Sequence, residues 1–181
     1  MKEQLRKGWW FLTIKGILFI LFGLTALLYP GEVITTIVLY LGLIIFVEGI
    51  LFIIGAIYNK KRQKAWELWM LEGIMDAIIG LLFMIYPGLT MKIFIIIIGI
   101  WAIMLGVYQI ITYFTVEAHP GNKFFYLING LLALLMGVFM ISNPFEGGKF
   151  ITVTVGIFSL IFGVMLTVTS IKMRETVKKK G

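Results

Sequence analysis

One pattern of glycine and proline occurs three times in this chain at a step of 57 residues. Four glycines and one proline of each copy stand in register with those of the next copy, without insertion or deletion. Self-similarity at a fixed period indicates that a chain is built from repeated units. The fifteen positions in register are Gly16, Gly73 and Gly130; Gly23, Gly80 and Gly137; Gly42, Gly99 and Gly156; Gly49, Gly106 and Gly163; and Pro30, Pro87 and Pro144.

The composition excludes most soluble classes of protein. Of the 181 residues, 60% are hydrophobic and 14% are charged, whereas a soluble domain has about 25% charged residues. An ordinary soluble enzyme, a disordered chain and a nucleic-acid-binding module are therefore excluded. The absence of cysteine also excludes a disulfide scaffold and any cysteine-based metal or redox site. The remaining class is an integral membrane protein whose main partner is the lipid bilayer.

Each copy contains two apolar stretches, and each stretch is long enough to cross a hydrocarbon layer of about 30 Å as a helix. The six stretches cover residues 9–28, 33–57, 66–85, 91–114, 124–141 and 150–171. We therefore predict an all-α integral membrane protein with six transmembrane helices, formed by three parallel 57-residue helical-hairpin repeats around a pseudo-threefold axis. Residues 1–181 would form one membrane domain, with repeats at about 9–57, 66–114 and 123–171. Parallel repeats count against an alternating-access transporter, since many of those have inverted repeats.

The glycines of each helix are seven residues apart, which places them on one face after two turns. Small residues let helix backbones approach closely in lipid, where the hydrophobic effect does not drive helices together. In an antiparallel hairpin, Gly16 would lie level with Gly49, and Gly23 with Gly42. The pattern thus predicts a glycine packing seam inside each hairpin. A glycine-lined pore is the alternative interpretation.

The three hairpin tips are centred on Pro30, Pro87 and Pro144. Proline ends a helix because it lacks an N–H and crowds the preceding turn. In the first two tips a glycine follows the proline, which favours a tight reversal. In the third tip Phe145 takes the place of this glycine, so we expect that tip to be looser.

Lysine and arginine are distributed very unequally between the two sides of the predicted bundle. Thirteen lie on the side of the termini and two on the side of the tips, while Lys15 lies within the first span. The positive-inside rule therefore places both termini in the cytoplasm of a multi-pass plasma-membrane protein, with no cleaved signal peptide. The net charge of +7 is thus a topology signal. Aromatic anchors at the inner interface would be Trp9, Trp10, Trp66 and Trp69.

Six polar residues lie within the predicted spans, and ionisable groups in spans are candidate functional residues. Lys15, Glu72 and Asn129 occupy one equivalent position of the three copies, so they would meet near the axis. All six residues fall in a slab about 9 Å thick, at a rise of 1.5 Å per residue. A network that holds the bundle together, a proton sensor or relay, and snorkelling of Lys15 to the interface are the three interpretations. The six are Lys15, Glu48, Glu72, Asp76, Gln109 and Asn129.

Other chemistry is not indicated by the sequence. It contains no nucleophile paired with a base, no His-Glu metal spacing and no phosphate-binding glycine loop. We therefore predict no catalytic residues, no metal and no cofactor.

The repeat, with Gly16-x6-Gly23, then Pro30, then Gly42-x6-Gly49, resembles that of the HdeD-like family of small bacterial and archaeal membrane proteins. The resemblance covers essentially the whole chain and rests on packing residues. It implies a non-enzymatic membrane protein linked to envelope or acid stress. Two other hypotheses remain open. One is a small-ion or proton-conducting protein that uses the intramembrane carboxylates. The other is a membrane scaffold or assembly factor that binds a second copy or another membrane protein.

Overall fold

The computed structural model describes residues 2–60, 65–115 and 120–179. These ranges form six helices: α1 (Lys2–Leu28), α2 (Pro30–Asn59), α3 (Trp66–Ile85), α4 (Pro87–Thr115), α5 (Pro120–Ser142) and α6 (Pro144–Lys179). Each of them is long and apolar enough to cross a membrane. The predicted all-α membrane class with six spans is confirmed. Basic residues at 61, 62, 64 and 180, which contribute to the predicted orientation, lie outside the described ranges.

The even-numbered helices begin earlier than the apolar stretches predicted. They start at Pro30, Pro87 and Pro144, and the prediction placed these starts at residues 33, 91 and 150. Proline suits the first helical position because an N–H group there would have no acceptor within the helix, so its absence costs nothing. The φ angle of proline is also already helical. The polar residues that follow each proline lowered the local hydropathy without interrupting the helix.

Each tip consists of a single residue between two helices: Tyr29, Tyr86 and Asn143. Hydrogen bonds continue on both sides of this residue. The N–H of Tyr29 donates to the carbonyl of Thr25 at 2.8 Å, and the N–H of Val33 donates to the carbonyl of Tyr29 at 3.0 Å. In the third tip the corresponding bonds of Asn143 measure 2.9 and 2.8 Å. The expectation of a looser third tip is therefore wrong, because the proline alone interrupts the helix and the residue after it is already helical.

The chain divides into two compact units, residues 1–33 with 149–181 and residues 34–148. The first unit consists mainly of α1 and α6, which are antiparallel. The second contains α3, α4, α5, most of α2 and the first turn of α6. A small core of the second unit lies around this turn, where Gly148 faces Ile34, Met91 and Ile95. Met91 and Ile95 are almost fully buried.

The twelve glycines form six reciprocal contacts, and every contact joins two different copies. A Cβ atom added at Gly73 would lie 2.7 Å from the carbonyl oxygen of Gly49, and one added at Gly49 would lie 2.7 Å from that of Gly73. Real Cβ atoms essentially never approach so closely. The contacts are Gly42–Gly80 and Gly49–Gly73 between α2 and α3, Gly99–Gly137 and Gly106–Gly130 between α4 and α5, and Gly16–Gly163 and Gly23–Gly156 between α1 and α6.

The predicted pairing inside each hairpin is therefore wrong. Gly16 faces Gly163 and Thr167 of α6, where the prediction expected Gly49. The reason is the length of the tip. Packed helices have axes 8–10 Å apart and are usually joined by 2–8 residues, which a one-residue tip does not provide. Accordingly, α3 and α4 touch little although they are consecutive, whereas α4 and α5 are in extensive contact.

Large apolar side chains on the helices are mostly exposed. Leu28, Leu51, Trp101 and Phe162 are more than half exposed, as are many others. Exposed apolar area on this scale indicates a surface that faces lipid or another protein. The glycine faces are buried and the bulky faces are exposed, which is the arrangement that close helix packing in a bilayer favours.

Candidate functional site: polar groups within the spans

The six predicted polar residues are distributed over five helices. Four of them are exposed, while Asp76 and Gln109 are half-buried. Lys15 lies on α1 in the first unit, whereas the other five lie in the second unit. The meeting of Lys15, Glu72 and Asn129 near an axis therefore stays a prediction. The residues are Lys15 on α1, Glu48 on α2, Glu72 and Asp76 on α3, Gln109 on α4 and Asn129 on α5.

Three carboxylates belong to the α2·α3 pair. Glu48 and Glu72 each precede one member of the Gly49–Gly73 contact, so they stand at nearly the same height. Asp76 follows one turn later on α3. In the described part of the chain, none of these three carboxylates forms a hydrogen bond or an ion pair. Their chemistry belongs to the functional alternatives treated below.

The two amides meet in the α4·α5 pair. Gln109 and Asn129 line one cleft of about 230 Å³, together with Phe125 and Tyr126. The α2·α3 pair carries different side chains at the equivalent positions, because Gln109 corresponds to Phe52 and Tyr126 corresponds to Trp69. In the α2·α3 pair these two rings are in edge-to-face contact, with centroids 6.4 Å apart and an interplanar angle of 83°. Sequence reasoning identified both amides but not their cleft, which this comparison of equivalent positions would have indicated.

A cation lies over an aromatic ring at the end of each helix pair away from the tips. Arg174 lies 5.3 Å from the ring centroid of Trp9, Lys60 lies 4.8 Å from that of Trp66, and Lys123 lies 6.0 Å from that of Tyr113. Such contacts contribute roughly 0.5–1 kcal/mol at exposed sites. The predicted anchors Trp9 and Trp66 thus have cationic partners, Arg174 on α6 and Lys60 directly after the end of α2. The sequence analysis did not identify these partners. The signal was present, because Lys60 and Arg174 are cations at equivalent positions of the 57-residue repeat.

The α1·α6 pair also contains a hydroxyl cluster near Trp9. Ser170 is 1% exposed, and its hydroxyl donates to the carbonyl of Trp9 at 2.5 Å. The hydroxyl of Thr13 lies 2.6 Å from that of Ser170. These bonds cross between the helices, which in membrane proteins stabilises a pair by roughly 0.6 kcal/mol per bond on average. This cluster has no counterpart in the other pairs, because positions 56 and 113 carry Ala56 and Tyr113.

An apolar cleft of about 240 Å³ lies where α3 and α4 diverge from their tip. Phe83 and Phe94 meet across it edge to face, with centroids 5.7 Å apart. Among the residues placed by the structure, no group of three His, Cys, Asp or Glu side chains is arranged to hold a metal ion.

The family described as a short repeat of unknown function (DUF308) matches the chain three times, over residues 14–85, 71–142 and 128–181. The matches start at the same 57-residue step as the glycine pattern. The first match contains the α2·α3 glycine contacts and the second contains those of α4·α5, whereas the α1·α6 contacts join the first match to the third. No curated protein and no solved structure matches the chain.

Proposed function

The chain belongs to the family of short repeats of unknown function (DUF308), and on that premise we propose that it is a non-enzymatic membrane protein of the HdeD-like kind, acting in envelope or acid stress. The proposal draws its main support from one observation. The residues that recur in all three copies are the tip prolines and the glycines of the six reciprocal backbone contacts. The repeat therefore specifies helix packing, and the polar residues differ from copy to copy.

The intramembrane polar residues support the same proposal. Catalysis by acid–base or nucleophilic chemistry requires groups within hydrogen-bonding reach of one another. Over the described ranges, the carboxylates of α2 and α3 have no such partners. A protein that keeps its helices together under harsh conditions needs packing that does not depend on charge, and reciprocal glycine contacts meet that requirement.

Survival of acid challenge tests this function. Deletion of the gene in its native host is expected to lower survival at least about tenfold, and the intact chain is expected to restore it. The double variant Glu72→Gln, Asp76→Asn should restore survival equally, because packing does not require these charges. Gly80→Leu should fail to restore it. Unchanged survival after deletion would contradict the stress role, and failure of the carboxylate variant would favour the second candidate below.

The second candidate is a proton-conducting protein, and a specific observation favours it. Three carboxylates lie within the spans of one helix pair, and ionisable groups at such depth often mark proton relays. Asp76 is half-buried on the face that carries Gly73 and Gly80. This position is suited to passing a proton within the protein, since the surrounding lipid offers no acceptor.

Liposomes that contain a pH-sensitive dye separate the two candidates. If the chain conducts protons, the reconstituted protein collapses an imposed pH gradient, and Glu72→Gln or Asp76→Asn slows the collapse at least about tenfold. Glu32→Gln is the matched control, because Glu32 is exposed in the first turn of α2. Our primary proposal expects no protein-dependent collapse. Collapse that persists unchanged in all three variants would exclude conduction through these carboxylates.

A further inference from the structure

The cleft between α4 and α5 differs from the equivalent region of the α2·α3 pair. At the equivalent positions α2 and α3 carry the rings of Phe52 and Trp69 in edge-to-face contact, whereas α4 and α5 carry Gln109 and Tyr126, which line a cleft of about 230 Å³. The glycine contacts beside it are the same in both pairs. The cleft is therefore a local feature of these side chains and does not arise from looser packing of the backbone.

The polar groups of this cleft have unused hydrogen-bonding capacity. An amide side chain has two N–H donors and an accepting oxygen. Neither Gln109 nor Asn129 forms a hydrogen bond within the ranges that the structure describes. In hydrocarbon, an unsatisfied polar group costs several kcal/mol. Two such amides facing one cleft within a span favour a bound molecule that offers hydrogen-bond acceptors or donors of its own.

The position and charge of the cleft restrict what this molecule is. The three polar or aromatic side chains at positions 126, 129 and 109 carry no charge, so they suit a neutral group such as an ester carbonyl. Lys123 lies six residues before Asn129, which is about 9 Å along the helix. Its ammonium group lies 6.0 Å from the centroid of the Tyr113 ring on α4. A cation thus lies on the interface side of the cleft, and the neutral donors of Gln109 and Asn129 lie deeper. The exposed apolar side chains of Leu105 and Leu132 follow about one turn further into the span.

We infer that this cleft binds a phospholipid from the leaflet on the Lys123 side. The amides of Gln109 and Asn129 donate to the ester carbonyls, the phosphate interacts with Lys123, and an acyl chain lies along Leu132, which is exposed one turn deeper on α5. This order of cation, neutral donors and apolar surface matches the order of phosphate, ester and acyl chain in a diacyl phospholipid. The inference does not depend on the function proposed above.

Native mass spectrometry of the full-length protein tests the site. Dioleoyl phosphatidylcholine is titrated into the detergent-solubilised chain, and the dissociation constant of the first bound lipid is measured. Gln109→Phe is expected to weaken this binding about tenfold, since it removes a donor and fills the space. The variant copies the residue that α2 already carries at the equivalent position, so the pair is expected to fold. Asn129→Leu, at an exposed position, should weaken binding in the same direction.

A second part of the experiment changes the lipid and keeps the wild-type protein. The dioleyl ether analogue lacks ester carbonyls, and the wild-type chain should bind it as weakly as Gln109→Phe binds the ester lipid. Ile111→Phe is the control, because Ile111 is exposed on α4 outside the cleft, and it should leave binding unchanged. Equal binding of ester and ether lipids would overturn recognition of the carbonyls. Unchanged affinity in both Gln109→Phe and Asn129→Leu would overturn the site itself.

Discussion

Gly80→Leu is expected to disrupt the α2·α3 pair and to lower the free energy of unfolding by about 3 kcal/mol, the upper end of the usual cost of overpacking. A Cβ atom at position 80 would lie 2.7 Å from the carbonyl oxygen of Gly42 and would also collide with the backbone nitrogen of Phe46. Both obstacles are backbone atoms, so the clash is relieved only if the helices separate. Chemical unfolding of the purified protein in detergent measures the effect.

Gly88→Leu is the matched control for this experiment. Gly88 is also helical, but nothing lies within 4 Å of a Cβ atom added there. The same substitution should therefore change the free energy of unfolding by less than about 1 kcal/mol, with helix propensity acting in favour of leucine. Equal losses of stability in the two variants would contradict the assignment of Gly80 to a close backbone contact.

A chain that ends at Gly148 should lose the protection of α1 while its second unit remains folded. Ala26 on α1 is fully buried, and Gly156 of α6 lies against its Cβ atom. In a chain carrying Ala26→Cys, we expect loss of residues 149–181 to raise the rate of labelling by N-ethylmaleimide at least about tenfold, because local exposure controls such reactions. The natural chain has no cysteine, so each variant reports from a single position.

Ala56→Cys reports on the second unit in the same experiment. Ala56 is an equally buried alanine on α2, and its labelling should stay slow in the shortened chain. A separate polypeptide of residues 144–181, expressed together with the shortened chain, should restore protection of position 26. Slow labelling at position 26 without α6 would show that another element covers α1. Fast labelling at both positions would show that the two units do not fold independently.

The repeat predicted the helices but not their partners. Six spans followed directly from the apolar stretches, because a helix must satisfy its own backbone in lipid. Gly16 faces an equivalent of Gly49 and not Gly49 itself. That equivalent is Gly163, two copies later. A strict 57-residue period makes the three candidates, Gly49, Gly106 and Gly163, indistinguishable by height. The one-residue tip excludes Gly49, and Gly106 is already paired with Gly130.

The candidate site was predicted as a set of residues and not as an arrangement. Composition alone identifies a charged or amide side chain within a span, so the six polar residues were found without knowledge of the fold. Which of them share a cleft depends on helix pairing. Gln109 and Asn129 lie on consecutive helices of different copies, joined by residues 116–119, so a prediction that paired helices within a copy could not bring them together.

Pairing across copies also determines which glycine faces remain available for further association. Each copy has one glycine face on its first helix and a different one on its second helix. Association of one such face with the other is heterologous, or head-to-tail. Such association continues indefinitely unless the last face meets the first. Here α6 meets α1 through Gly16–Gly163 and Gly23–Gly156, so all twelve glycines of the repeat are occupied. A fourth copy, or a second molecule, would find no unoccupied glycine face of this kind.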